Sequence, residues 1–372
     1  MRSMAARTMS PARRRNSAGA APKTAEPKSQ PSALFYCAAY LLPLMTVLGQ
    51  RAGYPWFNVV FTFGLLPLLD LALPVDKANL PKSEERRVEK LLRFRVLLWA
   101  WVPMQLALLW WACRLAPTLD AWSFVWLALS AGVVGGNSIT VAHELGHKRV
   151  WFERALGELL LCTQSYGHFQ IEHVQGHHWH VATPADPASA RLGEPFPRFW
   201  VRSVVGSFLS ALRIDRGRVL SYVAAELAMG CVIGAACGAA GAAFFAAQGV
   251  VGFTLLEAVN YLEHYGLQRK QLPDGSYEPV TPLHSWNADN TVSDAVLFRL
   301  GRHSDHHAFP TRRYQILRSF PESPNLPSGY AGLIPIVLVP PLWFALMDHR
   351  VIEHRRRVAA LAPPAYPVSE SE

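Results

Sequence analysis

Six apolar stretches, each long enough or nearly long enough to cross a bilayer, decide what this 372-residue chain can fold into. A helix needs roughly 17–25 apolar residues to traverse the hydrocarbon core, and inside it every backbone polar group must be bonded within the protein. Four stretches, 34–50, 56–73, 96–114 and 121–142, pair into two hairpins. The apolar run 219–261 is too long for one crossing and carries small residues at Gly238 and Gly241, so it divides into 219–237 and 240–261. The expectation is an all-α integral membrane protein, a six-transmembrane-helix bundle. Composition agrees, with 51% hydrophobic and 17% charged residues and a mean hydropathy of +0.12. A further run, Ala331–Met347, is interrupted by Pro335, Pro340 and Pro341 and stopped by Asp348, which fits a re-entrant or interfacial segment.

Charge orients the bundle. The net charge of +9 does not point to nucleic acid, because the basic residues flank apolar stretches as they do in cytoplasmic loops. Lys77, Lys82, Arg86, Arg87, Lys90, Arg93 and Arg95 lie between the second and third stretches, whereas the opposite side offers mainly Arg51 and Arg114. Both termini and the long polar segments 148–218 and 268–330 are therefore expected on the cytoplasmic side of a bacterial-type inner membrane. Residues 1–32, with Arg13, Arg14 and Arg15, look like a disordered basic arm; 33–350 form the membrane domain; 351–372 look like a disordered basic tail. The five cysteines are scattered without a CxxC pair, so disulfides and thiolate metal sites are not expected.

Nine of the fourteen histidines fall in four motifs beside these stretches: His143 and His147 in HELGHK, His173, His177 and His178 in EHVQGHH, His264 in NYLEHYG, and His303, His306 and His307 in RHSDHHA. Positions i and i+3 or i+4 share a helix face, so each cluster can aim two imidazoles one way. Adjacent histidines diverge by about 100°, which lets one cluster serve two neighbouring metals. Without metal, each imidazole nitrogen left unsatisfied in the interior would cost ~1–3 kcal/mol. Neutral imidazole suits iron, zinc, copper and nickel, and nearby carboxylates can fix its tautomer. Glu144, Glu172, Glu263 and Asp305 are placed for that, with Asp70 a further candidate at the same depth. His168, His180, His284, His349 and His354 are read as packing or surface residues.

These motifs resemble the membrane-bound alkane 1-monooxygenases, relatives of the membrane fatty-acyl desaturases. The likeness rests on HELGHK, on YGHFQIEHVQGHH with VATPADPASAR, on NYLEHYGL and on RHSDHHAFPTRRYQ. It extends to LPLLD at Leu66–Asp70 and SPNLPSGYAG at Ser323–Gly332, covering roughly residues 35 to 350, while Met1–Ser32 matches nothing in it. The resemblance implies a non-haem di-iron centre held by the nine histidines, with O2 as co-substrate and neither haem nor flavin. It also implies terminal hydroxylation of medium- to long-chain n-alkanes, with electrons from a rubredoxin and its NAD(P)H-dependent reductase. The chain lacks the two cysteine pairs of a fused rubredoxin, so the donor is expected to be separate. Arg149, Arg154, Arg198, Arg202, Arg213, Arg216, Arg218, Arg312 and Arg313 are candidates for steering an acidic donor or for contacting anionic lipid.

Other chemistries share parts of this pattern. His143, Glu144 and His147 also form HExxH, the pattern of an intramembrane zinc protease, but catalytic zinc takes three protein ligands and leaves the other histidines unexplained. Hydroxylation of aromatic methyl groups or of fatty-acyl chains would use the same di-iron site.

Overall fold

A computed structural model describes residues 32–360, and its regular elements are helices. The expected basic arm lies, apart from Ser32, outside the described residues, as do the last twelve residues of the expected tail. Four helices are long and apolar enough to cross a membrane: Ala33–Arg51, Leu92–Thr118, Ala121–Gly146 and Arg216–His264. Phe57–Ala72 is apolar but shorter. Local sequence sets their ends. The Asp120 side chain accepts from the Ser123 N–H (2.7 Å) to start Ala121–Gly146, and Asp215 does the same for Arg218 (3.0 Å) at the head of Arg216–His264.

The 49-residue helix Arg216–His264 breaks at Gly238, whose φ of 71° and ψ of −177° suit glycine alone. Across the break the chain turns back on itself, bringing Gly230 against the Phe245 ring and Gly234 against Ala242. The run divided on the strength of its small residues is thus a helical hairpin with Gly238 at its tip.

Small residues and buried polar pairs join the helices. Gly132 and Gly136 on Ala121–Gly146 face Val251 and Leu255 on the second hairpin arm so closely that a Cβ at Gly132 would overlap Val251. Asn58 donates to the Thr46 hydroxyl and to the Ser130 carbonyl (both 3.0 Å), tying Ala33–Arg51 and Phe57–Ala72 to Ala121–Gly146. Leu68, Leu71, Leu227, Val232 and Leu338 lie outward and exposed, as lipid-facing residues would. The protein is an integral membrane protein by these features.

The polar segments between the long helices form a cap over one end of the bundle, built from the helices Trp151–Cys162, Phe196–Ile214, Thr291–Val296 and His303–Ala308. The proline-interrupted run resolves into Tyr330–Val337 and Pro340–Ala360. The second of these corrects the expected tail: residues 351–360 are helical because Val351 packs on Gly266 and His354 bonds the Leu283 carbonyl (2.9 Å), both side chains being buried.

Candidate metal centre

Nine imidazoles converge where Ala121–Gly146 and Arg216–His264 end, in two groups. His143, His147, His173, His178 and His306 make the first, and His177, His264, His303 and His307 the second; within each, one ligand atom per residue lies within 4.8 Å of all the others. All nine histidines singled out from the motifs are in these groups.

Helical geometry explains the partition. His143 and His147 stand one turn apart at the end of their helix, and His303 and His307 repeat that i, i+4 relation on His303–Ala308. The adjacent pairs His177/His178 and His306/His307 each split, one ring to each group. The pairing of His173 with His178 has a different origin. Five residues apart on an α-helix they would point about 140° from each other. A π-helical turn over His173–His177 brings them onto one face, with their Nε2 atoms 3.1 Å apart.

Further Nε2 pairs lie 3.2 Å apart for His306 and His178, 3.3 Å for His303 and His264, and 2.9 Å for His307 and His303. Two nitrogens bound at ~2.1 Å to one ion at a right angle are ~3.0 Å apart, so these spacings suit shared coordination. Buried Nε2 atoms of His147 and His177 have no protein partner, as ligand lone pairs would not. Burial first, and neighbouring imidazoles second, hold His147, His173, His178, His303, His306 and His307 well below the ordinary histidine pKa. They are therefore uncharged at neutral pH, the form that binds metal.

The carboxylates behave differently from one another. Glu263 joins the second group: its Oε2 lies 3.1 Å from the His303 Nε2, and its Oε1 accepts from the Tyr330 hydroxyl at 2.6 Å. Glu144 is instead paired with Lys148 (2.9 Å) and accepts from the Tyr314 N–H. Asp305 binds Arg318 (2.7 Å) and Arg312 (3.2 Å), while Asp70 accepts from the N–H groups of Val292 and Ser293 (2.8 and 3.1 Å) at the head of Thr291–Val296. Glu172 is buried with its Oε1 unpartnered. Sequence reasoning passed over Asp186, whose Oδ2 is 2.8 Å from the His177 Nδ1 and also accepts from the Ser189 hydroxyl at 2.6 Å. The quoted stretch VATPADPASAR contains it, but the loop brings it back across nine residues, a distance no helical periodicity reveals.

The remaining histidines stay outside both groups. His168 is buried among Tyr166 and Phe208, His284 bonds Glu278 and Thr281, and His180 is exposed. Of the arginines considered for docking, Arg202, Arg218, Arg312 and Arg313 form ion pairs with Glu194, Glu158, Glu85 and Glu153, whereas Arg198, Arg213 and Arg216 are exposed.

Below the imidazoles, an apolar cavity of about 850 Å³, its open mouth included, runs between the helices. His143, His173, His303 and Glu263 form its polar end; Phe63, Leu66, Val133, Leu255, Leu256 and Ile334 line its length.

A family model for fatty acid desaturases matches residues 120–335, the stretch holding all nine histidines. The chain is 41% identical over 318 residues to alkane 1-monooxygenase 2 of Pseudomonas aeruginosa, covering 80% of this chain and 84% of that one. It is 39% identical over 341 residues to alkane 1-monooxygenase of Acinetobacter baylyi, covering 84% and 83%. Similarity falls to 28% over 239 residues, 60% of this chain and 62% of the relative, for the xylene/toluene monooxygenase hydroxylase component XylM of Pseudomonas putida. The motif resemblance is thus borne out over most of the sequence, and the chain belongs to the alkane 1-monooxygenase family, with the fatty acid desaturase domain at its centre.

Proposed function

We propose that this protein hydroxylates the terminal methyl of medium- to long-chain n-alkanes to primary alcohols, using O2 and electrons from a separate rubredoxin reduced by an NAD(P)H-dependent reductase. The observation that carries the reading is the closure of an apolar cavity by two groups of imidazoles. His143, His147, His173, His178 and His306 would hold one iron, and His177, His264, His303 and His307 the other, with the Glu263 carboxylate beside the second. Iron bound there supplies the O2 activation and C–H cleavage that amino-acid side chains cannot perform.

The protein's own residues position and exclude. Asp186 accepts from the His177 Nδ1 and so turns its Nε2 lone pair inward. The cavity walls hold an extended chain with its methyl toward His143 and keep water away. Transfer from water would favour binding by ~0.8 kcal/mol per CH₂, but transfer from lipid gains little, so shape selects the substrate. The hairpin at Gly238 and the helix Phe57–Ala72 would complete six crossings, with the cap and both termini in the cytoplasm, where Arg198, Arg213 and Arg216 can steer an acidic donor.

A zinc-protease reading is disfavoured by Glu144: the general base of an HExxH site would face the metal, and here it is bound to Lys148. Aromatic-methyl hydroxylation is the second reading, motivated by the likeness to XylM. Reconstitution with rubredoxin, its reductase, NADH and a mixture of octane, hexadecane, a fatty acid and xylene separates them. Primary alcohols from the alkanes are expected. Oxidation of xylene alone, or a double bond introduced into acyl lipid, would overturn the assignment.

A further inference from the structure

Asn137 is out of place in an alkane slot. It sits on Ala121–Gly146, is only 3% exposed and lines the cavity, yet neither its Oδ1 nor its Nδ2 has a hydrogen-bond partner. Val133, Leu255 and Leu256 line the same cavity and offer it no polar atom, and Thr62, Thr140, Asn260 and Ser293, which also line it, make no hydrogen bond to the Asn137 side chain. A carboxamide has both donor and acceptor needs, and in the interior both are ordinarily met. A hydrocarbon meets neither. An ether or ester oxygen would answer only the Nδ2 donor, whereas a hydroxyl group can donate to Oδ1 and accept from Nδ2 at once.

Resting on the monooxygenase reading above, we infer that Asn137 is a specificity-determining residue that pairs with a hydroxyl group, so that the cavity takes aliphatic alcohols with their far methyl toward the histidines. Asn137 precedes His143 by six residues, about 9 Å along the helix, roughly the reach of an eight-carbon chain. The substrate class is then the compound class that alkane hydroxylation itself releases, bound a second time with its hydroxyl at Asn137. The reaction is CH₃–R–CH₂OH + O2 + 2 e⁻ + 2 H⁺ → HOCH₂–R–CH₂OH + H₂O. One C–H bond is replaced by C–OH, the second oxygen atom leaves as water, and the same protein donor supplies both electrons.

The test pairs each 1-alkanol from octanol to dodecanol with the alkane one carbon longer, which has the same number of heavy atoms. A site built around a hydroxyl discriminates strongly against the analogue lacking it. Reconstituted wild-type enzyme is expected to favour at least one alcohol by tenfold or more in kcat/KM and to yield the α,ω-diol. In Asn137→Leu that preference is expected to vanish, the kcat/KM values for each alcohol and its paired alkane converging. An alcohol preference unchanged by the substitution, or no preference in the wild type, would overturn the inference. Should Asn137→Leu fail to accumulate in the membrane, Asn137→Ala makes the same comparison. Should wild-type enzyme oxidise neither class, the monooxygenase reading fails, and calorimetric binding of the same pairs then decides the role of Asn137. Tighter alcohol binding that disappears in the variant supports it, and equal binding refutes it.

Discussion

Asp186→Asn perturbs one hydrogen atom of the metal centre. In the native carboxylate, Oδ1 accepts from the Ala188 N–H at 2.9 Å, and Oδ2 accepts from the Ser189 hydroxyl at 2.6 Å and from the His177 Nδ1 at 2.8 Å. An asparagine must put its NH₂ on one side or the other. Facing the Ala188 N–H would oppose two donors, so the NH₂ turns toward Ser189, whose hydroxyl can accept, and toward His177. The His177 Nδ1 must then accept, which moves the ring proton to the Nε2 that belongs to the second group. Loss of such an outer partner costs 10–100-fold in metal affinity, ~1.4–2.7 kcal/mol. Elemental analysis after graded chelation should show Asp186→Asn releasing about one iron per chain at chelator concentrations 10–100-fold below those the wild type needs, with the other iron retained. Ser189→Ala leaves the carboxylate in place and should lie much closer to wild type. Simultaneous, wild-type retention of both irons in Asp186→Asn would refute the tautomer argument.

Other substitutions separate ligands from scaffold. His168 is buried with an unpartnered Nε2 and a pKa pushed by burial down to about 4, so His168→Phe should keep both irons and leave thermal stability equal or higher; loss of iron would make it part of the centre. Gly132→Ala forces a methyl group into Val251 and should cost ~1–3 kcal/mol of stability, seen as a lower midpoint of thermal unfolding in detergent, with iron content unchanged. For iron-free protein, the folded imidazoles His147, His173, His178, His303, His306 and His307 titrate below their unfolded value. The unfolded chain therefore takes up protons first, so stability should be constant above pH ~6.5 and fall below it, by up to ~1.4 kcal/mol per pH unit for each ring. A flat profile from pH 7 to pH 5 would contradict those depressed values.

Helical repeats made much of this molecule legible. The i, i+4 spacing of His143 with His147 and of His303 with His307, and the divergence of adjacent rings at 177/178 and 306/307, are consequences of 3.6 residues per turn and needed no tertiary knowledge. The break near Gly238 was legible because the apolar run is too long for one crossing and carries small residues there. What escaped depended on non-local contacts or on departures from α geometry. The π-helical turn that aligns His173 with His178 has no periodic signature, and Asp186 reaches His177 through an irregular loop. Adjacency to motif histidines singles out Glu144 and Asp305, and depth singles out Asp70, but Lys148, Arg318 with Arg312, and the backbone at Val292 and Ser293 bond them. The basic character of 351–360 suggested a tail, whereas Val351 and His354 give that stretch a buried face.

The central claim is that two irons occupy two different nitrogen environments, one with five imidazoles and one with four imidazoles beside Glu263. Mössbauer spectroscopy of ⁵⁷Fe-loaded, reduced protein tests it directly. Two ferrous quadrupole doublets of equal area are expected, whereas a single doublet at one iron per chain, or a protein that retains zinc in place of iron, would contradict the account.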